Sequence, residues 1–332
     1  MKEYANYSLL NHNTFGINVE TKRFVEYDSE EELIGLLPSL GNTFLHMGGG
    51  SNLLFLGNFD GTVLHSAIRG IEVVENCGEE MLVRVGAGVV WDDFVAWAVE
   101  QGWGGIENLS LIPGEVCASA VQNIGAYGVE AKDVIVRVEA IHLKTGEKRC
   151  FRADECGYAY RQSVFKNELK GQYAITYVTY KLAVHPTLKL GYGNMEVLSE
   201  KENVTVADIR QFIIDVRNAK LPDPKVLGNA GRFFMNPVVS RDKFREIQLA
   251  YPQMPYYEVE NGVKIPAGWM IEQCGWKGKS LGRAGVHEKQ ALVLVNLGGA
   301  SSEEIVVLCN AVCKDVKDTF GIDIHPEVNF IS

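Results

Sequence analysis

Apolar positions recur along this chain with two periods, one helical and one strand-like, and long glycine-rich stretches obey neither. Leu33, Leu36, Leu37 and Leu40 follow a Ser29-x-x-Glu32 box, which predicts a capped helix. Thr43 to Met47 reads as a strand that runs into Gly48-Gly49-Gly50, and Leu53–Leu56 resumes it on the other side. Ile71–Val74 and Leu82–Val85 read as strands. Trp91, Phe94, Val95 and Ala98 then mark one face of a helix that Gly102 stops.

Val134–Leu143 and Tyr173–Leu182 predict longer strands, the first turning back at Thr145-Gly146-Glu147. Thr205 caps a helix with Val206, Ile209, Ile213 and Val216 on one face and Arg210 and Arg217 on another. Leu221-Pro222-Asp223-Pro224-Lys225 is the clearest break, because closely spaced prolines neither continue a helix nor join a central strand. Beyond it the pattern predicts a helix at Arg241–Ala250 and a strand at Ala291–Leu297. A final helix opens with a Ser301-x-x-Glu304 box and turns Ile305, Leu308, Cys309, Val312 and Val316 inward, before a short extended tail at His325–Val328. Three regions result, divided near residues 70 and 219, which suits 332 residues, a length expected to form about two or three domains.

Composition narrows the classes. An apolar share of 46% with 22% charged residues is that of a soluble globular protein. A formal charge of −10 argues against nucleic acid as the main partner, though not against a small anion met by local cations. Met1 to Asn18 carries no signal-peptide pattern and no eighteen-residue apolar run exists, so neither export nor a membrane span is expected, and the location expected is cytoplasmic. The seven cysteines show no Cys-x-x-Cys and are read as free thiols; Cys309 and Cys313, four apart, are read as core residues and no metal is expected.

The chemistry is concentrated in two glycine-rich loops. In Gly48-Gly49-Gly50-Ser51-Asn52-Leu53, side-chain-free backbone can converge N–H groups on an anion, with a hydroxyl and an amide alongside. By itself this loop is as compatible with a tight turn as with a phosphate cradle, and its spacing fits neither a Rossmann nor a P-loop fingerprint. The second loop, Ile112-Pro113-Gly114 through Gln122-Asn123-Ile124-Gly125-Ala126-Tyr127-Gly128, adds amides and an aromatic suited to a planar heteroaromatic ring. Together the loops favour a large phosphate-bearing cofactor over a merely glycine-rich packing element.

Eight motifs then occur in order: Asn13-Thr-Phe-Gly16, Gly48 to Leu54, Ile112 to Gly114, Gln122 to Gly128, Tyr160-Arg-Gln-Ser-Val-Phe-Lys166, Leu221 to Lys225, Gly228-Asn-Ala-Gly231 and Pro326-Glu-Val328. In this order they resemble the UDP-N-acetylenolpyruvoylglucosamine reductase family of bacterial cell-wall synthesis, over almost the whole chain. The resemblance implies an α+β fold: a two-subdomain FAD-binding part of the vanillyl-alcohol-oxidase (PCMH) type and a separate α+β substrate-binding domain. It divides the chain into FAD subdomains at 1–70 and 71–219, a substrate domain at 220–318 and a tail at 319–332 that returns to the active site. Leu190-Gly-Tyr192-Gly193, in an insertion near 185–205, resembles the tyrosine loop of the longer form of the family.

What the resemblance implies can be stated residue by residue. Non-covalent FAD is held by Gly48, Gly49, Gly50, Ser51, Asn52, Leu53, Ile112, Pro113, Gly114, Gln122, Asn123, Gly125, Ala126, Tyr127 and Gly128. NADPH is the co-substrate, and its hydride reaches the enolpyruvyl carbon of UDP-N-acetylglucosamine enolpyruvate by way of the flavin. Arg161 polarises the substrate carboxylate, Glu327 lies near the intermediate, and Tyr160, Tyr192, Lys220, Asn236 and Gln290 bind substrate, Tyr192 over the diphosphate. His287 is read as structural. The expected product is UDP-N-acetylmuramate for peptidoglycan, made by a monomer.

One position departs from the family pattern. A serine or cysteine proton donor follows Gly228-Asn-Ala-Gly231 in the family; here the residue is Arg232, which is bulky and a poor general acid because its guanidinium stays protonated. Impaired reduction of substrate with intact FAD binding is the expectation. Two other readings stay open on the residues: an FAD-dependent sugar or alcohol oxidase of the same superfamily, for which His46 is the only nearby tether, and a catalytically inactive UDP-sugar-binding protein.

Overall fold

The strand predicted at Tyr173–Leu182 becomes the centre of the largest sheet. In the computed structural model, which describes residues 1–332, strand Tyr173–Ala183 lies between Ile135–His142 and Glu80–Gly86, with Lys148–Arg152 and Ile71–Asn76 at the edges. All four pairings are antiparallel. One face of this sheet buries Val83, Val85, Val138, Val178 and Tyr180 with Trp91, Phe94 and Val95 of helix Trp91–Glu100 and Val116 and Ala120 of helix Val116–Gln122. Helix Glu30–Leu36, capped by Ser29, packs Leu33 and Leu36 against Ile141, Leu143 and Ala174 in a second apolar cluster. Side chains alternate across a strand, so the central strand is buried on both sides, Thr176 and Thr179 included.

These elements belong to the first of two compact units, formed by Met1–Tyr7, Thr21–Gly49 and Asp60–Arg217. It also holds a four-stranded sheet in the order Lys2–Ser8, Glu20–Tyr27, Phe59–Ser66, Phe44–Met47, whose last pair is parallel.

The second unit comprises Ser8–Glu20, Gly50–Phe59 and Asn218–Ser332, so two N-terminal segments pack with the C-terminal third of the chain. Its main sheet runs Gly228–Asn229, Leu294–Asn296, Ala284–Val286, Ser280–Leu281, and a smaller one runs Val238–Val239, Gly262–Lys264, Tyr257–Val259. Helices Arg241–Ala250 and Ser302–Phe320 form where the periodicity predicts them, the latter with both halves of its Ser301–Glu304 capping box made. Leu53–Phe55 does not resume the strand Phe44–Met47; it pairs in parallel with Asn329–Ile331. Gly50, at φ +64°, redirects the chain between them.

The stretch between Gly114 and Gly125 also differs from a plain loop. Val116–Gln122 is a helix that ends at Asn123, held in the left-handed conformation at φ 45°. No helix of the chain is long and apolar enough to cross a membrane.

Candidate functional site

In the first unit the two glycine loops meet. A Cβ on Gly48 would lie 3.1 Å from Glu115 Oε2 and 3.2 Å from Cys117 Sγ, and one on Gly49 would lie 3.6 Å from Gly114 Cα. A side chain at Gly48 would press on the Glu115 and Cys117 side chains, while one at Gly49 would make ordinary contact with Gly114. Ile112 and Pro113 lead into this contact after Leu111, a non-glycine residue at φ 58°.

Backbone strain clusters around the second loop. Of the non-glycine residues at positive φ, Leu111, Asn123, Tyr127 and Arg161 all belong to it or to the turn beside it. Such conformations persist only where surrounding structure enforces them, and they concentrate at binding and catalytic sites. Asn123 shows how it is enforced: its Nδ2 donates to Glu130 Oε2 and to the Ala159 carbonyl at 2.8 Å each, and its Oδ1 accepts the Lys132 N–H at 3.0 Å. The side chain is thus engaged within the protein, and what the Asn123 segment offers a ligand is backbone.

Arg161 sits with Tyr160 at the tip of a turn closed by Ala159 and Gln162, whose backbones exchange hydrogen bonds of 3.2 and 3.0 Å. Arginine occupies the position where such a turn normally takes glycine, at φ 56°. Its guanidinium donates to the Gly125 carbonyl at 3.1 Å. Lys166 ties the same region together, donating at 3.1 Å to Gln122 Oε1 and to the Arg161 carbonyl. Arg161, Gln122, Gly125 and Ala126 are therefore one local constellation. Tyr192 joins it from the 185–205 insertion, with its ring 3.8 Å from where a Gly128 Cβ would be.

A second constellation is assembled within the other unit. Asn229 binds the Gly231 N–H through Oδ1 at 2.9 Å and the Pro222 and Leu227 carbonyls through Nδ2, which fixes the turn that presents exposed Arg232. The Glu327 N–H donates to the Phe233 carbonyl at 2.7 Å, one residue from Arg232, and the Asn52 amide reaches the Glu327 carbonyl at 3.4 Å. The Asn13–Gly16 motif supports both: Thr14 accepts the Asn229 N–H at 2.9 Å and donates its own N–H to Gly50 at 3.2 Å. Gly50, Ser51, Asn52 and Leu53 thus lie in this unit, with Glu327.

Asn236 Oδ1 accepts the N–H of Ala267, the first residue of helix Ala267–Gln273, and Gln290 Oε1 lies 3.3 Å from a Cβ placed on Gly268. Both amides therefore flank the start of that helix. Lys220 is exposed at the end of helix Val206–Lys220. His287 is half-buried, and burial lowers its pKa. His46 Nε2 is 2.6 Å from the Tyr27 hydroxyl, and burial with repulsion from His65 pushes its pKa down to about 4. A ring so engaged is poorly placed to tether a flavin.

Two buried polar groups were not singled out from sequence. Glu115 follows Ile112-Pro113-Gly114 directly; its Oε1 is 2.9 Å from His65 Nε2 while its Oε2 has no partner, and His65 Nδ1 lies 3.1 Å from Glu26. Asn108, 1% exposed, has both amide protons engaged and its Oδ1 unpaired. Their position beside the glycine loops was the available signal; isolated carboxylates and amides carry no motif. Glycine-lined approach, strained backbone and unpaired buried acceptors together fit a large ligand rich in hydroxyl, amide and phosphate groups, as FAD is.

Comparison with known proteins agrees with both halves. Residues 21–150 match the family described as an FAD binding domain, and residues 223–331 match the C-terminal domain of UDP-N-acetylenolpyruvoylglucosamine reductase. The chain is 56% identical to the reductase of that name from Bacteroides fragilis over 98% of its length and 99% of the relative's. It is 48% identical to that of Porphyromonas gingivalis, with 98% of each chain covered. The crystal structure of the Thermus caldophilus reductase shares the fold, with a TM-score of 0.71 at 21% identity, covering 100% of this chain and 98% of the other.

Proposed function

This chain belongs to the UDP-N-acetylenolpyruvoylglucosamine reductase family, and on that premise we propose that it reduces UDP-N-acetylglucosamine enolpyruvate to UDP-N-acetylmuramate with NADPH, for peptidoglycan synthesis, as a cytoplasmic monomer. Bound FAD supplies the hydride relay between nicotinamide and the enolpyruvyl carbon. The backbone of Gly48–Leu53, Ile112–Gly114 and Gln122–Gly128 would hold it.

The observation that carries the reading is Arg161, a strained arginine whose guanidinium is fixed on the Gly125 carbonyl inside the second glycine motif. A planar, permanently charged fork in that position suits the bidentate grip of a carboxylate, and it stabilises negative charge developing next to it. Tyr160 and Tyr192 extend the same surface toward the sugar diphosphate, while Lys220, Asn236 and Gln290 contribute a cation and two amides for phosphate and uridine.

Proton delivery is where this chain departs from the family. Arg232 keeps its proton at any ordinary pH, so it does not serve as the acid. Its charge can still hold an anionic substrate, and solvent or Glu327 supplies the proton in its place. Without a positioned acid at residue 232, proton delivery would limit turnover.

Anaerobic mixing of the yellow, FAD-loaded protein with NADPH should bleach the flavin bands, and UDP-N-acetylglucosamine enolpyruvate should restore them. Restoration by oxygen but not by the enolpyruvyl sugar would favour the oxidase. Tight UDP-sugar binding without any bleaching would favour the inactive binding protein.

A further inference from the structure

A buried amide ties the flavin loop to the tyrosine loop inside the first unit. Asn108 Nδ2 donates one hydrogen bond to the Tyr127 carbonyl at 2.9 Å and the other to the Lys189 carbonyl at 3.1 Å. Tyr127 belongs to the second glycine motif; Lys189 immediately precedes Leu190-Gly191-Tyr192-Gly193. With 1% of its surface exposed, Asn108 cannot exchange these partners for water without opening both segments.

Side-chain packing makes the same connection. The Tyr127 ring leaves the flavin loop to pack against the small core of Met195, Ile209 and Ile213, which Leu188 and Leu190 also cover. Gly193, at φ +67°, lies so close to that ring that a Cβ there would be 2.8 Å from Cδ1 and 2.9 Å from Cε1. Gly128 receives the Tyr192 side chain in return, at 3.8 Å. Tyr127 holds φ 49° and Asn194 φ 65° on the two sides of the contact, so both segments are strained where they touch.

We propose that Asn108 is a positioning residue for the reaction, setting the register of the Tyr192 loop on the flavin loop so that the contact which seats the flavin also aims Tyr192 at the substrate diphosphate. The proposal rests on the reading that Tyr192 covers that diphosphate. Disturbing the amide frees the Tyr127 backbone of one loop and the Lys189 backbone of the other and so loosens both ligands, whereas a methyl on Gly193 displaces its own exposed loop and leaves the Tyr127 backbone held.

Calorimetric titration of the FAD-loaded protein with UDP, and of the apoprotein with FAD, tests it. In Gly193→Ala, whose added methyl pushes on the Tyr127 ring from an exposed loop, the Kd for UDP should rise about tenfold while that for FAD stays within about twofold. In Asn108→Ala both constants should rise about tenfold or more. A general loss of stability would not reproduce that split, and Gly193→Ala keeps the test intact should Asn108→Ala fail to fold. Tyr192→Phe separates the two ideas. Unchanged UDP affinity in that variant overturns the assignment of Tyr192 and the proposal with it. Weakened affinity in Tyr192→Phe, with unchanged affinity in the Gly193 and Asn108 variants, overturns the proposal alone.

Discussion

Arg210 holds Asp92 in a fork, Nη1 to Oδ1 at 2.7 Å and Nη2 to Oδ2 at 2.9 Å, and Asp92 Oδ1 also accepts the Leu111 N–H at 2.5 Å. One carboxylate therefore joins helix Val206–Lys220 to the strained residue that opens the Ile112-Pro113-Gly114 motif. Removing it strands a guanidinium and a backbone donor, both partly buried. Asp92→Ala should cost about 1–3 kcal/mol of stability and weaken FAD binding, read by thermal unfolding and flavin titration.

The same group has a pH signature. Burial raises the Asp92 pKa, but the Arg210 fork and the Leu111 N–H outweigh it and the net shift is downward. A lowered carboxylate pKa contributes stability that is present above the unfolded value, about 3.9, and is lost as pH falls through the folded value. Denaturation midpoints between pH 5 and pH 2 should fall less steeply in Asp92→Asn than in the parent chain. Parallel curves would remove Asp92 from the account.

His65 works in the opposite direction. Burial pushes its pKa down, and the Glu115 and Glu26 carboxylates overcome that to give a net rise. Its stabilisation is complete below about pH 6.5 and disappears as pH climbs through the raised folded value. A proton NMR titration should find the His65 ring still charged above the ordinary histidine range, and His65→Gln should flatten the stability profile on the alkaline side of neutrality.

Gly50 has both reasons to be glycine. Its φ is +64° and an added Cβ would lie 2.0 Å from the His12 carbonyl oxygen. Gly50→Ala should therefore cost about 3 kcal/mol or more, combining backbone strain with an overlap against main chain that cannot rotate away. Gly57, which has no atom within 4 Å of its would-be Cβ, is the internal control, and Gly57→Ala should be close to neutral in the same melting experiment.

Under the proposed function, Arg232→Ser places a hydroxyl where the acid is needed. A positioned general acid contributes about 10²–10⁴-fold, so turnover of the enolpyruvyl sugar should rise by about 10² or more, with NADPH bleaching of the flavin unaltered. Equal turnover in both proteins would show that another group already delivers the proton efficiently.

Much of this was legible from residues alone, and the reasons differ by element. Helix Arg241–Ala250 follows from periodicity, and the Ser301 helix from a capping box whose two bonds are both made. Helix Val116–Gln122 was not legible, because Val-Cys-Ala-Ser-Ala-Val-Gln offers small residues in place of an amphipathic stripe, and its glycine-rich flanks suggested loop. Motif order drew attention to the two glycine loops but not to the direction of their side chains: Gln122 faces Lys166 and Asn123 faces inward. Asn108 and Glu115 escaped notice because their weight comes from burial, which a single sequence does not display.

The pairing of Leu53–Phe55 with Asn329–Ile331 bears on how the molecule is made. Asn52 and Asn329, hydrogen-bonded beside that pair, are 277 residues apart. At about 5–20 residues per second, the first strand waits on the order of ten seconds to a minute for its partner to be synthesised. Leu53–Phe55 must stay unpaired, or be shielded, until Asn329–Ile331 has been made and has emerged from the ribosome. This pairing in the second unit therefore forms late. A ribosome stalled near residue 320 should display a folded first unit and a second that is still protease-sensitive.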